Sequence, residues 1–527
     1  MSFNSWKVFN QLKERVTKFR PDKSIQNEFF QLINKLPQTQ ELGEYLKATE
    51  KKINEINQSL GQIYDTALKS NKKQDTEDKE VWKKVKRISQ SQHHQSKPKE
   101  VEMLDLMACI TTEQNLLTAV ESFMSFLKQQ PEVRNNAIKH GAIRILLNKQ
   151  LNAKCDSLKG ALREALTILG YNEPVSGQGI RILSIDGGGI RGVLVLEMLK
   201  KLEELTGKRV YEMFDFFCGV STGAILTYSM GVHLRKLDDI IARYEALSQE
   251  IFNQSPLFGT GKLVWKHAYY DTNLWEKKLK DYLGDQSLIV TSRNPNCPKI
   301  CVVSAIVNQS QVLPYVFRNY ALPWRFQSEY DGTFNAELWQ AARASAAAPT
   351  YFEEFRINEF IHQDGGILAN NPTAIAIHEA KLLWPNSPIQ CVISFGTGRS
   401  VPSPAELGKR NKFDSNRTQV SGSQGTSWSN KFFKILDSAT DTQAVHIMLS
   451  DLLSENVYYR FNPYLTEVIG MVETDLEKQK QMKRDVIMYL RRNEDKFHEA
   501  AKTLMLKKKY RQLISDKINL QRDLLGL

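Results

Sequence analysis

A serine framed by glycines, Gly219-Val220-Ser221-Thr222-Gly223, follows the apolar run Phe214 to Cys218 and precedes a helix-like stretch from Ala224 to Met230. Gly-x-Ser-x-Gly at a strand-to-helix turn is a nucleophile elbow. Its glycines let the backbone turn sharply enough to push the hydroxyl out, and the next helix aims its first N–H groups at the same spot. Acyl transfer also needs a base and donors for the oxyanion. Two Asp-Gly-Gly stretches offer them: Asp186-Gly187-Gly188-Gly189-Ile190-Arg191-Gly192, and Asp364-Gly365-Gly366 after Phe360, Ile361 and His362. In the first, the longer glycine run and the helix start at Val193 suit an oxyanion hole made from the amides of Gly188 and Gly189. In the second, the two glycines would let the Asp364 carboxylate approach Ser221, and a partly dry site would raise its basicity. Asp186 has the same local form as Asp364. The histidines are poorer partners: His362 sits just before Asp364, His378 lies inside a helix, and His267 stands in an aromatic patch.

These turns need strands to carry them. Ile182 to Ile185, Phe214 to Cys218, Lys299 to Asn308 and Ile389 to Phe395 read as buried strands, with Tyr315 to Arg318 pairing beside the third. Helical spacing runs through Val193 to Leu205, Leu237 to Phe252, Asn273 to Leu283, Ala336 to Ala348, and from Pro372 to Leu383, where Asn371 reads as the cap. Strands alternating with helices predict an α/β fold, a three-layer α/β/α sandwich around a mostly parallel sheet, with sites at the carboxyl ends of the strands. Trp265, Tyr269 and Tyr270 read as exposed.

Around this core, residues 1–100 read as helical segments and a linker, with His93 and His94 solvated. Residues 101–172 carry helices broken at Gly141, and resemble about one and a half armadillo-type units, too few to stand alone. The catalytic region spans 178–400, a Ser-, Gly- and Asn-rich flexible insertion 401–430, and a helical, basic extension 431–527 containing Lys507, Lys508, Lys509 and Arg511.

With 527 residues and 41% hydrophobic content the chain can bury a full core, in roughly two to four domains. A formal charge of +12 points to an anionic partner. No nucleic-acid motif accompanies it, and a membrane surface is the expected one. Six scattered cysteines, with Cys297 and Cys301 the only close pair, argue against zinc and fit a reducing compartment. No apolar run is long enough to span a bilayer, so contact with lipid is expected from the water side.

DGGGIRG, then GVSTG about thirty residues on, then DGG with a following NNP, together resemble the patatin-like phospholipases. The resemblance implies an oxyanion hole from Gly187, Gly188, Gly189, Arg191 and Gly192, the nucleophile Ser221 with Gly219 and Gly223 as elbow, and the base Asp364 with Gly365 and Gly366. ASAAAPTYF, ISFGTG, YYRFNP and the basic helical tail are similar to the calcium-independent phospholipase A2 gamma branch. It further implies a phospholipid substrate, no metal and no other cofactor, and an intracellular, peripheral membrane location at mitochondria or endoplasmic reticulum. The ending Leu525-Gly526-Leu527 lacks the Ser-Lys-Leu peroxisomal address. Two other readings compete. Gly187-x-Gly189-x-x-Gly192, with Glu212 about 20 residues on, fits a dinucleotide fingerprint but leaves Ser221 and Asp364 without a role. A catalytically inactive membrane-binding scaffold would keep the same fold.

Overall fold

The computed structural model describes residues 97–252, 270–400, 442–467 and 469–526. The readings for residues 1–96, His267, Trp265, Tyr269 and the insertion 401–430 lie outside them.

The first helices are α1 (Lys99–Cys109), α2 (Glu113–Gln129), α3 (Arg134–Lys139), α4 (Ala142–Asn152) and α5 (Asp156–Ile168). The linker therefore stops short of residue 100: Glu100 is buried and accepts from Asn136 Nδ2 at 2.6 Å. Gly141, at φ 82°, makes the expected break. The apolar faces of these helices form a cluster that includes Leu104, Phe123, Leu146 and Leu162 and takes in Ile289 from the following region. Glu164, fully buried, accepts from Lys128 Nζ at 2.6 Å and Arg293 Nε at 2.5 Å. This charged triad ties the helices to the next layer.

The chain then runs through β1 (Ile180–Ile185), α6 (Gly192–Thr206), α7 (Val210–Met213), β2 (Phe216–Val220), α8 (Thr222–Gly231), α9 (Leu237–Phe252) and α10 (Thr272–Leu283). Next come β3 (Lys299–Ile306), β4 (Leu313–Arg318), β5 (Asp331–Thr333), α11 (Leu338–Ser345), β6 (Phe355–Ile357), β7 (Phe360–Asp364), α12 (Gly366–Ala369), α13 (Thr373–Leu383), β8 (Ile389–Phe395) and β9 (Arg399–Ser400). The last described elements are α14 (Thr442–Leu452), β10 (Tyr458–Phe461), β11 (Tyr464–Leu465), α15 (Leu476–Arg492), α16 (Glu494–Leu504) and α17 (Tyr510–Leu525).

The main sheet has the order β10-β8-β1-β2-β3-β4-β5, with β7 also on β3 and β6 on β7. From β10 to β3 all neighbours are parallel, whereas β4 and β7 run antiparallel to β3. The central strands β1 and β2 are buried along their whole length, as a sheet covered on both faces requires. Alternation divides their side chains between two cores. Leu183, Phe217, Val302 and Ile393 face the layer containing α6, while Ile182, Phe216, Val303 and Val392 face the layer containing α13.

Several expectations change. β10 and its neighbours come from the segment set apart as an extension, yet β10 is an edge strand of the main sheet. Tyr270 is buried, stacked on Tyr351 at 5.8 Å, because aromatic neighbours cover it. The helix after Asn371 begins one residue later than read, at Thr373; Asn371 Oδ1 still accepts from the Thr373 amide at 3.2 Å. Arg209 to Asp215 contains the short α7, where the competing dinucleotide reading would need a strand. Glu212 accepts from the Arg209 amide at 2.8 Å, a capping role in place of a ribose contact. No helix of the described residues is long and apolar enough to cross a membrane.

Candidate active site

Ser221 sits between β2 and α8 at φ 56°, ψ −120°, a conformation that L side chains avoid and that a nucleophile elbow imposes. Both flanking glycines are required by close approach. A Cβ on Gly219 would strike the Gly223 carbonyl, and one on Gly223 would strike the carbonyl of Ile185. Such contacts leave no room for even a methyl group. The Ser221 amide donates to Ser345 Oγ at 2.8 Å, and that hydroxyl donates to the Val303 carbonyl at 2.6 Å. The elbow is thereby pinned to β3.

Asp364 reaches the serine from an unexpected direction. It ends β7, which runs against β3, and the register pairs Asp364 with Ser304 while Val303 pairs with Val220. Its carboxylate thus arrives level with the end of β2. Ser221 Oγ donates to Asp364 Oδ2 at 2.6 Å, and the Gly366 amide donates to Oδ1 at 2.8 Å. Burial pushes the Asp364 carboxyl up to about 6, with the bonds from Ser221 and Gly366 holding it back from a larger rise. Gly365 abuts the Val303 carbonyl, which keeps β7 tight against β3.

The first glycine turn lies against the same serine: a Cβ on Gly187 would come within 3.0 Å of Ser221 Cβ. Its backbone is held from several sides. The Gly187 amide donates to Asn370 Oδ1 at 3.1 Å, and Thr397 Oγ1 donates to the Gly187 carbonyl at 2.7 Å. Thr222 Oγ1 and Tyr244 OH each donate to the Gly189 carbonyl at 2.9 Å, and the Ile190 amide donates to the Met471 carbonyl at 2.8 Å. Gly192 lets Thr222 pack against the start of α6. Asp186, read as having the form of a second base, is buried instead in a two-pronged ion pair with Arg460, whose Nη1 lies 2.8 Å from Oδ1 and Nη2 2.5 Å from Oδ2. Arg191 Nε donates to the Gly188 carbonyl at 3.3 Å, so this part of the guanidinium braces the turn.

Ser221 and Asp364 open into an apolar pocket of about 60 Å³ walled by Ile225, Leu247, Ile251, Phe252, Trp275 and Phe352. Of the histidines, His362 is buried beside Tyr315 and Phe317 with Nδ1 3.0 Å from Ser304 Oγ, and burial lowers it to about 4. His378 Nε2 accepts from the Glu329 amide at 3.4 Å. Among the described residues no group of three or more His, Cys, Asp or Glu side chains could hold a metal ion.

Spacing did not reveal Ser345, Asn370, Thr397, Arg460 or Met471. Ser345 and Asn370 lie within stretches already notable as ASAAAPTYF and NNP, and Thr397 lies within GTG. Arg460 lies within YYRFNP, and Met471 carried no signal of its own.

The fold thus brings together an elbow serine and a buried aspartate bonded to it, beside a glycine turn at the carboxyl edge of a mostly parallel sheet. Residues 183–377 match the family described as patatin-like phospholipase. Over 409 residues it is 44% identical to calcium-independent phospholipase A2-gamma of Mus musculus, covering 77% of this chain and 51% of that protein. It is also 31% identical over 394 residues to phospholipase A I of Arabidopsis thaliana, covering 63% of this chain and 29% of that one. The chain thus spans about half the length, or less, of these curated relatives. Among solved structures, VipD from Legionella pneumophila is 15% identical with a TM-score of 0.30, covering 66% of this chain and 75% of that chain.

Proposed function

We propose that this protein is a calcium-independent lipid acyl hydrolase that cleaves acyl esters of glycerophospholipids through a Ser221-Asp364 dyad. The observation that carries the reading is the 2.6 Å bond from Ser221 Oγ to Asp364 Oδ2 at the mouth of an apolar pocket. In the proposed reaction Asp364 takes the hydroxyl proton as Ser221 Oγ attacks the ester carbonyl. The oxyanion forms beside the Gly187 to Gly189 turn and the start of α8, whose amide dipoles favour negative charge there. Collapse of the tetrahedral intermediate breaks the ester bond, and the departing lysolipid oxygen receives the proton from Asp364. Water then attacks the acyl-enzyme, gives its proton to Asp364, and releases the fatty acid as the proton returns to Ser221 Oγ.

The apolar walls of the pocket suit an acyl chain, and the names of the relatives supply the phospholipid and the independence from calcium. Peripheral membrane contact belongs to the same proposal. On α17, Tyr510, Leu513, Ile514 and Ile518 are exposed close to Lys507, Lys509 and Arg511, a combination suited to an anionic lipid surface. Leu504, by contrast, faces the core. The deciding experiment is fatty-acid release from phosphatidylcholine vesicles with chelator present, for the wild type and Ser221→Ala. Turnover that survives chelation and vanishes in the variant is expected. Equal turnover in both would overturn the assignment.

A further inference from the structure

Beside the catalytic turn, and opening between β9, the end of β10 and the junction of α15 with α16, lies a hollow of about 340 Å³. Arg399, Arg492 and Lys496 line it, Arg460 and Asn462 contribute from β10 and its end, and His446 faces it from α14. No carboxylate lines it among the described residues. Arg460 is already neutralised by Asp186. Among the described residues the other three cations are not: Arg399 lies over the Tyr464 ring at 3.9 Å, and Lys496 over the Phe461 ring at 5.2 Å while donating to the Arg460 carbonyl at 2.8 Å. No ion pair within 4.0 Å involves Arg399, Arg492 or Lys496 among the described residues.

Like charges converging on a recess repel one another, and the cost shows in the neighbouring groups. Burial first, then Arg460, holds the Lys496 ammonium below its ordinary value. Burial, then Arg460, Lys496 and Arg399, does the same to His446. Such a site is relieved by an anion, and its geometry says which kind. Two guanidinium forks and an ammonium approaching from different walls match an oxyanion with several acceptor oxygens better than a monatomic ion.

We propose that this hollow is a phosphate-binding site that takes a phosphomonoester group through Arg399, Arg492 and Lys496. Its floor, Arg460, also grips Asp186, the residue before Gly187. Occupancy would therefore be felt one ion pair away from the catalytic turn. The group could be carried by a soluble phosphoanion or by a lipid headgroup, and only the second source rests on the hydrolase reading.

The test titrates the full chain with inorganic phosphate by calorimetry, comparing wild type with the double variant Arg399→Gln, Arg492→Gln. Both side chains are exposed, and melting without phosphate checks that the variant folds. Phosphate should bind the wild type and bind the variant at least about tenfold more weakly. In chain labelled at histidine, phosphate should also move the His446 titration to higher pH. Vesicles of phosphatidylcholine with and without phosphatidic acid then separate the sources, in a Ser221→Ala background so that no lipid is consumed. Loss of phosphatidic-acid-dependent binding in the double variant assigns the site to a headgroup. Retained vesicle binding with lost phosphate binding assigns it to a soluble phosphoanion. Absence of phosphate binding to the wild type, or equal affinity in the double variant, overturns the proposal. None of these readouts depends on turnover, so failure of the hydrolase reading would be seen separately.

Discussion

If Asp364 takes the proton of Ser221, the reaction must fail as that carboxylate becomes protonated, at a pH set by its burial. The carboxyl moves from 3.8 to about 6. A group of that kind is only about one-tenth ionised at about pH 5 and about nine-tenths ionised at about pH 7, whereas an ordinary aspartate would remain more than nine-tenths ionised at both. The ratio of kcat/KM between those pH values should therefore be near ten instead of near one. A water-soluble monomeric ester is the substrate of choice, because its own charge and aggregation do not change over the range. The same shift has a signature in stability. Between about pH 4 and 6 the folded state holds a proton that the unfolded chain has lost, so stability falls as pH rises through the folded value. Roughly two units correspond to about 3 kcal/mol. Asp364→Asn removes that dependence, so the variant should be less active but gain on the wild type in urea denaturation between about pH 4 and 8. A kcat/KM profile flat down to about pH 4.5, or a limb near pH 6 that persists in Asp364→Asn, would refute the assignment of the base.

Three further outcomes follow from the packing. Gly223→Ala should lose about 2 kcal/mol or more in urea denaturation, because its methyl group would meet the Ile185 carbonyl. Asp186→Asn leaves Arg460 buried without a counter-charge and should cost about 3–5 kcal/mol, while adding Arg460→Met should recover part of the loss in a double-mutant cycle. Glu164→Gln strips Lys128 and Arg293 of their shared partner and should lower the melting temperature, with a loss of about 3 kcal/mol.

The elements that carry local signals were legible in the sequence. Glycines at strand ends marked both turns and the elbow, and helical periodicity marked α6, α9 and α10 to within a residue or so. What could not be read was the arrangement of long-range partners. Nothing in the spacing of YYRFNP announces that Arg460 will meet Asp186 across 274 residues. Nor does the run into Asp364 reveal its direction: a short apolar strand looks the same whether it pairs parallel or antiparallel, and only the register with Ser304 brings the carboxylate level with Ser221. Tyr270 was misjudged because aromatic burial depends on neighbours such as Tyr351 and Phe252, which are distant or unmarked in sequence.

The late arrival of β10 has a consequence for how the molecule is made. As the chain leaves the ribosome, Ser221, Asp364 and the strands from β1 to β8 emerge well before Tyr458–Phe461. Until then β8 presents a bare hydrogen-bonding edge, and the buried Asp186 waits for its only salt-bridge partner among the described residues. A nascent chain that already contains the serine and its aspartate is thus an incomplete sheet with a buried carboxylate that lacks Arg460 beneath the glycine turn. Both defects are corrected when one strand docks, so that order beneath the glycine turn and protection from edge-to-edge aggregation are acquired together, only once β10 has emerged.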